Sequence, residues 1–287
     1  LPGTLADRIE WVQGDVLDIT QLESCFENII QVYHCAAVVS YDERLHDTMM
    51  EINIEGTANI VNLCIEKKIQ KLLFVSSIAA LGKEDPNTFI TEKTVWNTTE
   101  YSLSQYAVSK QKAEMEVWRG IAEGLSAVIV NPGVILGEGD HAKSSTNLFK
   151  IVYDQFPYYT AGATAWVDVQ DVVTAMTMLM NSDVHSERYI LSAGNFCFKE
   201  IFDTMATAMK RKAPSKFAPL WLTGIVWRLS YLKSVLTGRT ATITRETARH
   251  AHEINCYDNT KFLKQFPEFH YQDISHTISR VAAVLYP

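Results

Sequence analysis

The sequence predicts an α/β fold built on a parallel sheet. Three observations carry that expectation: apolar runs of strand length, amphipathic stretches of helix length, and their alternation along the chain. In order, residues 9–16 read as a strand ending in a turn at Gly14, and 17–28 as a short helix with Thr20 as N-cap and Glu23 closing a capping box. Residues 29–39 are apolar almost throughout, the pattern of a strand covered on both faces. Over 51–68, Ile54, Ala58, Val61 and Ile65 recur at helical spacing. A strand at 72–75 delivers Ser76 and Ser77 at its end, and a helix over 104–123 and a strand at 127–130 follow. After Asn131-Pro132-Gly133 the rhythm changes. Residues 137–140 read as a loop, 146–156 as a short helix, 166–173 as a strand entering a helix over 172–180, and 188–193 as a strand. From Lys199 onward the pattern is mainly helical, ending over 275–285.

The chemistry is concentrated in residues 71–110. A buried strand ends in a hydroxyl at Ser77, and Tyr106 and Lys110 stand one helical turn apart on one face. That is a general acid/base arrangement. A phenol near its ordinary pKa is a poor base at neutral pH, and an adjacent ammonium is expected to lower it. Ser77 would align a substrate oxygen. With 12 Tyr in the chain, roughly one Tyr-x-x-x-Lys is expected by chance, and a second does occur at Tyr257 and Lys261. Only Tyr106 follows a strand ending in Ser-Ser.

Composition narrows the function classes. A chain of 287 residues, 47% hydrophobic and 21% charged, is long enough for one large domain or two small ones. The net charge of −7 argues against nucleic acid or an anionic membrane surface as partner. Cys25, Cys35, Cys64, Cys197 and Cys256 are odd in number and scattered, which suits reduced thiols in the cytoplasm. His250 and His252, two apart, point away from each other on a helix, so no metal site is expected. The longest apolar stretch, 218–236, is interrupted by Arg228 and Lys233 and is no membrane span. The apolar residues Trp221, Leu222, Ile225, Val226, Trp227, Leu229, Leu232 and Leu236 within it read first as core of a C-terminal lobe, and second as a pocket wall or membrane contact.

Ordered motifs make the chain resemble the extended short-chain dehydrogenases/reductases, the NAD(P)-dependent epimerase/dehydratase superfamily. Besides Ser77, Tyr106 and Lys110, these are Gly14-Asp15-Val16, His34-Cys35-Ala36-Ala37, Asn53-Ile54-Glu55-Gly56-Thr57, Asn131-Pro132-Gly133-Val134, and Trp166-Val167-Asp168-Val169. The resemblance implies a Rossmann-like, doubly wound parallel sheet with a smaller, mainly helical substrate lobe. The nucleotide domain is expected at 1–134 with about 167–193, and the lobe at 135–166 and 194–287. It further implies that Asp15 and Val16 meet the adenine, that Ala36, Ala37 and Val38 let the dinucleotide approach, and that Val75, Ser76, Pro132, Gly133 and Val134 line its nicotinamide end. Tyr106 and Lys110 would touch it too, Lys110 at the ribose. Asn53 is implied as an active-site support, against the plainer reading of a helix N-cap. His34 reads as a strand-end structural residue, Asp168 and Asp171 as helix caps, and Asp15 as either turn residue or cofactor contact.

One departure stands against these matches. The family opens on a strand, a Gly-rich phosphate loop and a helix, and no Gly-x-x-Gly-x-x-Gly occurs here. The expectation is that roughly sixty to eighty residues, about two strands and a helix or two, precede this chain in the natural protein. Ile78-Ala79 after Ser77 disfavours a nucleotide-sugar dehydratase, which carries Asp-Glu there. The chain looks more like the branch of dihydroflavonol reductases, cinnamoyl-CoA reductases and 3β-hydroxysteroid dehydrogenases, which implies NADP before NAD and a small apolar carbonyl or alcohol substrate. The alternatives are a nucleotide-sugar epimerase and a non-catalytic dinucleotide sensor or scaffold. By the same resemblance, a homodimer would form through helices 53–68 and 104–123.

Overall fold

A computed structural model describes residues 8–85, 88–96, 104–139, 145–237 and 244–287. The chain enters through helix α1 (Ile19–Cys25) and strand β1 (Gln31–His34). A continuous helical stretch follows: α2 (His46–Met50), a π-helical turn (Glu51–Glu55) and α3 (Gly56–Glu66). Next come β2 (Lys71–Val75), α4 (Gln105–Ala122) and β3 (Ala127–Pro132). The second half contributes β4 (Val134–Leu136), α5 (Thr146–Tyr153), β5 (Tyr158–Tyr159), β6 (Ala163–Asp168), α6 (Val169–Met180), β7 (Glu187–Leu191) and β8 (Gly194–Cys197). It closes with α7 (Phe198–Ala208), β9 (Lys216–Phe217), α8 (Leu220–Thr237), α9 (Arg245–His250), α10 (Thr260–Gln265) and α11 (Ile274–Leu285).

Strands β1, β2, β3 and β7 form the main sheet in that order, all parallel, with Leu72 beside Ala127 and Val75 beside Val130. Period-two alternation divides each strand between two cores. Leu72, Phe74 and Ile129 pack with Val61, Cys64, Ala113 and Val117 of α3 and α4. Leu73, Val128 and Val130 pack on the other face with Val172, Leu179 and Phe262 of α6 and α10. Burial on both faces is why β2 and β3 read as unbroken apolar runs. A second sheet, β4–β6–β8, carries its own core, in which Trp166, Phe149, Met205 and Ile278 are buried. Trp166 is fully enclosed, and its indole N–H donates to Phe196 O at 3.3 Å.

Several expectations need correction. Residues 9–16 form no strand: a strand exists through its ladder, and no described residue pairs with them. Trp11 is accordingly 79% exposed. The run 29–39 yields only β1, an edge strand among the described residues, with Ile30 and Tyr33 open to solvent instead of buried. Helix α1 starts earlier than its predicted cap. Asp18, not Thr20, accepts Gln21 N at 3.0 Å. Helix α8 is not lobe core, since none of its described side chains is buried. Asp140 of the predicted loop and the side chain of Leu236 lie outside the described residues.

Candidate active site

The reactive set is assembled where β2 ends and α4 begins. Ser104 caps α4 by accepting Ala107 N at 3.0 Å, which places Tyr106 in the first helical turn. Ser77, just past β2, caps a short 3₁₀ turn by accepting Ala79 N at 3.1 Å, and its side chain lies close enough to the Tyr106 phenol to favour its charged form. Lys110 Nζ donates to Val75 O at 2.8 Å and lies 4.8 Å from the Phe74 ring centroid. Helix and strand are thus tied together by Lys110, one of the predicted site residues.

The electrostatics differ from the expectation. Burial pushes the Tyr106 phenol up to about 12, with Ser77 beside it acting the other way and Tyr41 adding to the rise. The Lys110 ammonium is turned to the Val75 carbonyl, so it does not offset that burial. Burial also pushes Lys110 down to about 8, against the attraction of Glu114 and Cys35. Desolvation outweighs charge pairing at both groups.

Asn53 sits in the π-helical turn, is 1% exposed and is no N-cap. Its Nδ2 donates to Val38 O and to Ser109 Oγ, both at 2.9 Å, and its Oδ1 accepts Val38 N at 2.7 Å. It therefore locks the segment after β1 to the face of α4 behind Tyr106. It positions; its amide is spent on that lock. His34 is structural. Thr57 donates its hydroxyl to Asn53 O at 2.6 Å, so the His34 contact at 2.9 Å must run from Nε2–H to Thr57 Oγ1. Burial, with Lys110 nearby, pushes the His34 ring down to about 4 and keeps it neutral.

Asp15, Val16, Ala36, Ala37 and Val38 share one open groove of about 620 Å³, lined also by Gln13, Gly14, Gln21 and Ile52. Asp15 is both a turn residue and a groove wall, since its Oδ1 accepts Leu17 N at 2.9 Å. Gly56 is needed beside it, because a Cβ there would stand 2.6 Å from Val16 Cγ2. Val75 and Ser76 end β2, while Pro132, Gly133 and Val134 pass from the main sheet into the second. A Cβ on Gly133 would meet Ala165 O at 2.6 Å, a backbone atom with no room to yield. Ser76 Oγ and Asn131 Oδ1 are buried here with no hydrogen-bond partner among the described residues. Such atoms are costly unless a ligand satisfies them. The small, open-sided groove and these two atoms fit an extended nucleotide.

Asp168 caps α6 through Gln170 N at 2.7 Å, as expected. Asp171 does not cap; it accepts Gln272 N at 2.9 Å. Tyr257 and Lys261 are set apart from the site. Tyr257 N donates to Asn195 Oδ1 at 2.8 Å, and Lys261 pairs with Glu187.

Three residues near the site went unseen in the sequence. Tyr41 meets the Tyr106 ring edge-on at 6.2 Å. Glu246 of α9 accepts Gln105 N at 3.3 Å, bringing the C-terminal lobe to the first turn of α4. No local signal announces either, and the second contact spans 141 residues. Glu114 had a signal, its position one turn beyond Lys110. It is 2% exposed, and its Oε1 accepts from Asn131 Nδ2 at 3.1 Å while that same Nδ2 donates to Ser77 O at 2.9 Å. Its Oε2 accepts from Arg188 at 3.4 Å. Burial pushes Glu114 up to about 7, against Arg188, Asn131 and Lys110.

That shift has a measurable consequence. The folded state holds the Glu114 proton to higher pH than the unfolded chain, so this group makes stability fall as pH rises from about 4.5 to 7. Glu114→Gln should remove up to about 3 kcal/mol of that fall. Urea unfolding of both proteins at pH 5 and pH 8 measures it, and equal pH slopes would disprove the assignment.

Fold and site together define a class, that of the extended short-chain dehydrogenases/reductases. Within it, the chain belongs to the NAD dependent epimerase/dehydratase family, whose sequence model matches residues 2–192. It is 27% identical over 220 residues to a Synechocystis sp. protein named for dihydroflavonol 4-reductase, covering 75% of this chain and 64% of that one. It is 28% identical over 196 residues to cinnamoyl-CoA reductase 1 of Petunia hybrida, covering 64% and 57% respectively. The chain thus spans less than two thirds of the length of either relative. The structure of Thermus thermophilus UDP-glucose 4-epimerase in complex with NAD superposes with a TM-score of 0.74 at 17% identity, covering 99% of this chain and 85% of that one, a likeness of fold.

Proposed function

We propose that the protein is an NAD(P)-dependent oxidoreductase that reduces a small, apolar ketone or aldehyde, or oxidises the corresponding alcohol. The observation that carries this reading is the placement of Ser77 beside the buried Tyr106 phenol at the end of β2, with Lys110 bound to Val75 O one helical turn away. A bound nicotinamide would supply the hydride. Tyr106 delivers the oxygen-bound proton, Ser77 aligns the oxygen, and Lys110 holds the end of β2 against α4 and meets the ribose. Asp15, Val16, Ala36, Ala37 and Val38 form the adenine flank. The resemblance of the motifs to the dihydroflavonol-reductase branch favours NADP before NAD, and the scattered free cysteines support a cytoplasmic location. A dimer through the outer faces of α3 and α4 belongs to the same reading; Met115, 56% exposed, marks that face. Among the described residues no helix is long and apolar enough to cross a membrane.

Titration with NADPH, and separately NADH, followed by nicotinamide fluorescence, tests the reading. Saturable binding with turnover of apolar carbonyls is the expected result, and the tighter nucleotide identifies the cofactor. Tight UDP-sugar binding without carbonyl turnover would move the reading to an epimerase. Binding of neither nucleotide would leave a scaffold.

A further inference from the structure

The net charge of −7 conceals a strongly uneven distribution. Between Asp203 and Glu246 the sequence holds eight Lys or Arg and not one carboxylate. Lys210, Arg211, Lys212 and Lys216 lead directly into α8, which adds Arg228 and Lys233, and Lys210, Arg211, Lys212 and Lys216 are all exposed. The same stretch exposes large apolar side chains: Phe217, Leu220, Trp221, Ile225, Leu229 and Leu232, with Trp221 at 67%. Positions 221, 225, 229 and 232 recur at helical spacing and share one face. Isolated exposed hydrophobics are ordinary; a helix of 18 residues whose described side chains are all unburied is not.

The chemistry of this face selects its occupant. Two polar side chains of α8 turn back onto the protein: Thr223 donates to Leu220 O at 3.0 Å and lies 3.3 Å from His252 Nε2, and Arg228 donates to Gly224 O at 2.8 Å, with its guanidinium 4.8 Å from the Trp227 ring. What the helix offers outward is mainly apolar area, the Trp221 indole, the Tyr231 ring and the positive charge of Arg228. A fluid layer of anionic headgroups over acyl chains accepts that combination, and aromatic residues suit its boundary. The neighbouring helix α9 carries Glu246, which accepts Gln105 N beside Tyr106, so α8 stands one helix away from the candidate site.

We propose that α8 and the basic segment before it form a peripheral membrane-docking surface, with the apolar face of α8 lying in the headgroup layer of an anionic bilayer and Lys210–Lys216 held at lipid phosphates. This goes beyond the proposed reductase activity and stands without it. It runs against the expectation drawn from net charge, because a bilayer meets one face of the protein and not its average.

Sedimentation of the full chain with vesicles tests it. Vesicles of phosphatidylcholine and phosphatidylglycerol in roughly equal parts should bind at least about tenfold more protein than phosphatidylcholine alone, with loss at high salt and a blue shift of tryptophan emission. Trp221→Ser with Leu229→Ser, and separately Lys210→Glu with Lys212→Glu, should each lower binding about tenfold with unchanged thermal melting, since all four positions are exposed. Equal binding to both vesicle types, or binding to neither, overturns the proposal. So does a concentration-dependent dimer in solution that the Trp221→Ser, Leu229→Ser protein fails to form, which would assign the face to a second copy of the chain.

Discussion

Tyr106→Phe is expected to slow carbonyl reduction about 10²–10⁴-fold while changing nucleotide affinity by less than about twofold. The substitution keeps the ring, and with it the edge contact to Tyr41, and removes only the hydroxyl, which lies beside Ser77. A phenol held near 12 by burial is protonated at neutral pH and suited to act as the acid. Reduction should therefore outpace alcohol oxidation near pH 7, and oxidation should gain as pH rises. Single-turnover rates in both directions, beside nucleotide titrations of each protein, decide the matter. Unchanged reduction by the Phe variant would remove Tyr106 from the chemistry. A lost nucleotide affinity would instead make it a binding residue.

Asp168→Ala is expected to cost about 3 kcal/mol of folding stability. The carboxylate is fully buried, caps α6, and accepts Thr277 Oγ1 at 2.7 Å and Arg280 Nη2 at 2.6 Å from α11. Burial raises its pKa, but those hydrogen bonds and the Arg280 charge outweigh burial and leave it below the ordinary carboxylate range. Removing it strands a guanidinium whose remaining carboxylate partner is Glu138, and uncaps α6 while untying it from α11. Because the folded pKa is depressed, the contribution is complete at neutral pH and is lost as pH falls below about 4. Asp168→Asn keeps the cap and should fall between wild type and Ala. Urea unfolding at pH 7 and pH 3 measures both variants, and a loss under about 1 kcal/mol at pH 7 would show that the network is dispensable.

The parts legible in the sequence were those with a local cause. Leu72 to Val75 is apolar because both faces of β2 are covered, and Ser104 predicts the start of α4 because an N-cap needs only its own neighbours. Tyr106 could be separated from Tyr257 by the strand that precedes it. The misreadings had non-local causes. Residues 9–16 have strand composition, yet a strand is made by its partner. Asn53 looked like a cap or a support, and only the fold brought Ser109, 56 residues later, to its amide.

Electrostatics show the same division. The sequence by itself determined the α/β alternation, the family, and the Ser77–Tyr106–Lys110 set, because periodicity and spacing along one helix are short-range properties. Only the tertiary structure decided that Lys110 reaches Val75 O instead of the phenol, that Glu114 shares Asn131 with Ser77 O, and that one face of α8 stands open to solvent. Each depends on which distant groups displace water around a side chain, and desolvation is a property of the assembled fold, not of any stretch of the chain.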